Sequence, residues 1–116
     1  MLLFKPEHKE KILMGIKMQT RRIWKKQRCN PGTVHKAKLE MLSKESFADL
    51  FIVDVHKEHL LDISDNDAWA EGGYTRDEFL DVWDEINPKY PSGSNPEVFV
   101  VTFNQTQESI RRNQGS

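Results

Sequence analysis

The stretch VFVVTF, residues 98–103, restricts the fold more than any other part of the chain. Successive side chains of an extended backbone alternate between faces, and here large apolar residues fall on both, which predicts a strand buried on both sides. A second run, FADLFIVDVH over residues 47–56, carries Phe47, Leu50, Phe51, Ile52, Val53 and Val55 and predicts a central strand. A chain of 116 residues has room for one hydrophobic core, so these strands belong to a single small mixed domain.

The remaining elements follow from local signals. MLLF has strand character, and Pro6 can open a helix in which Ile12, Leu13 and Ile16 face inward and Gly15 ends the run. KMQTRRIW reads as a strand or extended segment, and NPGT, residues 30–33, as a turn into a strand within VHKAKLEML. Ser64 with Asp67, and Thr75 with Glu78, have the spacing of capping boxes and predict two helices separated by Gly72 and Gly73. In the second, Phe79, Leu80, Val82, Trp83 and Ile86 form one apolar side, a core stripe. Residues 87–96, with three prolines and a glycine, predict a loop. After Asn104 only Ile110 is a large aliphatic, so the domain is expected to span residues 1–104, with 105–116 a disordered polar tail.

Charge is segregated along the chain. Residues 1–44 hold 12 Lys and Arg against 3 Asp and Glu, residues 45–116 hold 5 against 15, and the formal net charge is only −1. Between Glu10 and Glu40 lie Lys11, Lys17, Arg21, Arg22, Lys25, Lys26, Arg28, Lys36 and Lys38 with no acidic residue among them. Such a block points to a polyanionic partner; the competing reading is that the two halves neutralise each other across the fold. Arginine can clamp phosphate with two hydrogen bonds and lysine adds a mobile charge. Trp24, among these cations, reads first as a core anchor and second as a platform for a base.

Other chemistries lose support. No apolar run approaches the roughly 20 residues of a membrane span, and no signal peptide is evident, which gives the expectation of a cytoplasmic protein without a membrane partner. Cys29 is the one cysteine, so neither an internal disulfide nor a cysteine zinc site is expected, and His8, His35, His56 and His59 have no ligand spacing that predicts a metal. No phosphate-binding loop, dinucleotide fingerprint, nucleophile elbow or zinc-hydrolase motif occurs, and no cofactor is expected. Read from the residues alone, Glu71 is one more surface carboxylate, set before a glycine pair that lets backbone or ligand come close.

Gly15, Lys17, Thr20 and Arg22 fit the pattern G-x-K-x-x-T-x-R, which resembles the signature of the ASCH domain, a family related to the PUA RNA-binding fold. The similarity extends over residues 1–104 through LLFKPEHKEKIL, NPGTVHKAK, DAWAEGGYTRDEFLDVWDEIN and EVFVVTF. It implies an α+β fold, a small PUA-like β-barrel with peripheral helices and a nucleotide-sized cleft lined by the motif. It also implies a partner that is RNA, another nucleic acid or a modified nucleoside. The expected binding residues are Gly15, Lys17, Arg21, Arg22, Trp24, Lys25, Lys26, Arg28, Lys36 and Lys38. Some small members resemble amidohydrolases of acetylated cytidine, and by that likeness Lys17, Thr20 and Glu71 would be catalytic, with Glu78 or Glu40 as competitors for Glu71. In that scheme Lys17, its pKa depressed beside Arg21 or Arg22, is the base toward Thr20. The same residues are also compatible with a ribonuclease using this cleft, and the acidic helices of 64–86 with a protein-interaction domain.

Overall fold

The computed structural model describes residues 1–114. In chain order the elements are β1 (Leu2–Leu3), α1 (Pro6–Leu13), β2 (Gln19–Arg22), β3 (Val34–Lys38), β4 (Ala48–His59), α2 (Asp65–Gly72), α3 (Arg76–Ile86), β5 (Glu97–Gln105) and α4 (Gln107–Gln114). The five strands form one sheet in the order β1-β3-β4-β5-β2, parallel between β1 and β3 and antiparallel elsewhere. β1 and β2 are its opposite edges, yet the Arg22 guanidinium on β2 donates to the Leu3 carbonyl on β1 at 2.6 Å. The sheet is thus curled into a half-barrel.

β4 is the longest strand and lies at the centre of the sheet, as its apolar run predicts. Its register with β5 shifts between Ile52 and Asp54, leaving Val53 as an extra, exposed residue. A bulge of this kind bends and twists a strand, which suits the curl of the sheet. β5 is buried on both faces: Val98 and Val100 pack with Leu60, Phe79 and Trp83 in one cluster, while Val101 and Phe103 pack with Leu2, Phe4, Ile12, Leu50 and Ile52 in the other.

The helix starts obey the expected capping chemistry with one exception. Thr75 and Glu78 form a complete box at α3. At α2 the Ser64 hydroxyl accepts from the Asp67 amide, but the Asp67 carboxylate turns away from the cap toward β2. The expectation of disorder after residue 104 is overturned by α4. Its one fully buried residue is Ser109, whose hydroxyl accepts from the Asp49 amide and donates to Gln105 Oε1, and Arg112 pairs with Asp49. Docking through polar contacts needs few apolar residues, so composition did not reveal this helix; residues 115 and 116 lie outside the described part. Among the described residues no helix is long and apolar enough to cross a membrane.

Candidate nucleotide site

β2 sorts its side chains by the two-residue period of a strand. Thr20 and Arg22 share one face, joined by a 3.1 Å bond from Arg22 Nε to Thr20 Oγ1. Gln19 and Arg21 share the other, joined by a 2.9 Å bond from Arg21 Nη1 to Gln19 Oε1. On α2, Asp67 and Glu71 are four residues apart and so occupy the same side of the helix, facing β2.

The result is a buried charge cluster. Lys17 Nζ donates to Gln19 O at 2.8 Å, Glu71 O at 2.9 Å and Glu71 Oε1 at 3.0 Å. Glu71 Oε2 accepts from Arg21 Nη1 at 2.8 Å. The rest of the Arg21 fork reaches Glu58 Oε1, at 2.7 and 3.1 Å, and Asp67 Oδ2 at 3.4 Å. All five guanidinium donors of Arg21 are thereby engaged, and its side chain is 0% exposed. Burial pulls the Lys17 pKa below the ordinary lysine value; Glu71 opposes this, and Arg22 and Arg21 reinforce it.

Beside the cluster lies a cleft of about 310 Å³ whose lining includes Lys17, Thr20, Arg21, Arg22 and Glu71. Leu3, Phe4, Phe79, Val82, Trp83 and Ile86 give it apolar walls, and Lys5 stands exposed on its lining. This volume is at the lower end of the range for small-molecule sites. Arg22, 4.9 Å over the Phe4 ring, has no acidic partner among the described residues. Only two of its N–H groups are engaged by protein, with Thr20 and the Leu3 carbonyl. Thr20 is 5% exposed, and its hydroxyl, having accepted from Arg22, donates to no protein group among the described residues.

His8 and Tyr74 also line the cleft, with Tyr74 Oη 3.5 Å from His8 Nε2. Burial, and next the Lys17 charge, lower the His8 pKa to about 4, so the ring is neutral at physiological pH. Sequence reasoning considered His8 only as a metal ligand and passed over Tyr74. The available signal was the four-residue step from His8 to Ile12, which puts both on the inner side of α1. Tyr74 leans on Gly72, whose φ is +155° and where an added Cβ would meet the tyrosine ring at 2.9 Å. Gly72→Ala is expected to displace Tyr74 and to lower stability by about 1–3 kcal/mol, read as an earlier midpoint in urea unfolding.

The structure divides the expected catalytic and binding residues. Lys17, Thr20, Arg22 and Glu71 meet in the cleft. Arg21 does not face solvent: strand alternation carries it into the ion cluster, where neutralisation across the two halves of the chain is what occurs. Gly15, at φ +74°, supplies the turn after α1 and lies outside this cleft. Trp24 is an anchor, packed 5.6 Å from the Phe99 ring. Lys36 pairs with Asp49 and Lys38 donates to Ser43 O. Lys25, Lys26 and Arg28 are exposed and make no ion pair among the described residues. Lys17 makes no hydrogen bond to Thr20, since its three ammonium donors go to Gln19 O, Glu71 O and Glu71 Oε1. The described residues contain no cluster of three or more His, Cys, Asp or Glu fit to hold a metal ion.

No family model and no curated protein matches the sequence. Among solved structures, an ASCH domain from Lactobacillus crispatus JV V101 aligns over 84% of this chain and 69% of its own, with TM-score 0.61 and 16% identity. The chain has the ASCH-domain fold. A DUF984 protein from Enterococcus faecalis V583 aligns over 91% of this chain and 82% of its own, with TM-score 0.63 and 17% identity. The half-barrel sheet with four helices matches the ASCH, PUA-like fold.

Proposed function

We propose that this ASCH-fold chain is an RNA-binding domain that takes one nucleotide into the cleft and lays adjoining phosphates on Lys25, Lys26 and Arg28. The observation that carries the reading is Arg22: a cation in an apolar-walled cleft, with free donors and no carboxylate partner among the described residues, and followed in the chain by the exposed, unpaired Lys25, Lys26 and Arg28. Neutralising phosphates releases counterions, so affinity for a single strand falls with salt by about 0.7 log units per log unit of salt for each phosphate contacted. Replacing Lys25, Lys26 and Arg28 together by alanine is expected to weaken binding of a short RNA and to flatten that slope by about 2. Fluorescence anisotropy at several salt concentrations measures both, and an unchanged slope refutes the assignment of these residues.

A second reading, hydrolysis of an amide on a modified nucleoside, is favoured by one observation: Lys17 with its lowered pKa, Thr20 with a free hydroxyl proton and Glu71 line the same cleft. It requires Lys17 to lose a proton and leave one of its acceptors before it can serve Thr20. Cytidine released from N4-acetylcytidine by the native chain, and not by Lys17→Ala, would replace the binding reading with this one.

A further inference from the structure

We propose that the cleft selects a base bearing a carbonyl oxygen, with Thr20 and Arg22 as the specificity-determining pair, and disfavours adenine. The inference rests on the reading of the cleft as a nucleotide site and names which nucleotides it accepts.

The Arg22 Nε to Thr20 Oγ1 bond holds the two side chains together on the cleft lining, where the Thr20 hydroxyl proton and three guanidinium protons have no protein acceptor among the described residues. Neighbouring donors of this kind are best met by an atom with two lone pairs. A carbonyl oxygen has two, whereas each ring nitrogen of adenine has one. Uracil, cytosine and guanine each carry such an oxygen, and adenine carries none.

An anionic group would also accept from both donors, but the charge inventory disfavours it. Ion pairs join Lys17 and Arg21 to Glu58, Asp67 and Glu71, and the unpaired Arg22 brings the floor to three cations against three carboxylates. A phosphate pushed into it would be a buried, uncompensated charge. A neutral ring against Phe4, Phe79 and Trp83 meets no such penalty, and the exposed Lys5 is available to the phosphate on the sugar of that nucleotide.

The test is titration of the native chain with uridine, adenosine and inorganic phosphate, followed through the amide resonances of Thr20 and Arg22. Uridine is expected to bind about tenfold or more tighter than adenosine, in line with the discrimination that good paired hydrogen bonds give between bases. Phosphate is expected to leave these resonances unmoved. Thr20→Val should reduce the uridine preference to near unity and Thr20→Ser should restore it. Equal affinity for the two nucleosides, occupation of the pocket by phosphate, or no response to any of the three overturns the proposal. The salt dependence of RNA binding is measured separately: a shallow slope together with a uridine preference refutes the phosphate track alone, while a steep slope with no base preference refutes this inference alone.

Discussion

Glu71→Leu is expected to lower the stability of the domain by about 3–5 kcal/mol, the usual consequence of removing one partner from a buried ion pair. Glu71 is 2% exposed and divides its carboxylate between Lys17 and Arg21, so its loss strands two cations at once. Their fates differ. Arg21 keeps Glu58 and Asp67, whereas Lys17 keeps only two backbone carbonyls. The uncompensated charge is therefore on Lys17, and Lys17→Met in the Glu71→Leu background is expected to recover part of the loss by turning the pair into apolar packing. Urea unfolding of the two single variants and the double variant measures this as a coupling energy. Additive losses would mean that Lys17 and Glu71 are not held together in the folded state.

That cluster marks the boundary of what could be read from the sequence. The two-faced burial of β5, the centrality of β4 and the cap at Thr75 rest on near neighbours in the chain, and their periodicity or spacing is visible without coordinates. The partners of Arg21 come from positions 58, 67 and 71, and nothing in local spacing distinguishes those carboxylates from others on the same surface. The separation of Arg21 from Arg22, by contrast, was legible. In an extended segment residues 21 and 22 point to opposite faces, so only one of two consecutive arginines can share the Thr20 side. α4 was missed for the opposite reason: hydrophobic patterning is silent about a helix docked through Ser109 and Arg112.

Acidification is expected to weaken the native chain more than His8→Gln, because His8 is held neutral in the fold. Its folded pKa is about 4 against an ordinary 6.5. Below pH 6.5 the unfolded chain takes up a proton that the folded chain refuses until about pH 4. Unfolding then gains protons, so stability falls with pH across this window and the full benefit is present only above it. The difference between native and variant is expected to reach about 3 kcal/mol near pH 4, measured by urea unfolding in steps from pH 7. The groups around the ring set the sign: Lys17 and Lys11 oppose its protonation, Glu7 and Glu71 favour it less strongly than burial opposes it, and Tyr74 is a neutral neighbour. Parallel pH profiles for the two proteins would show that the ring is solvated. A neutral His8 also belongs to the chemistry of the cleft, since a further cation on its lining would upset the charge balance that favours an uncharged base.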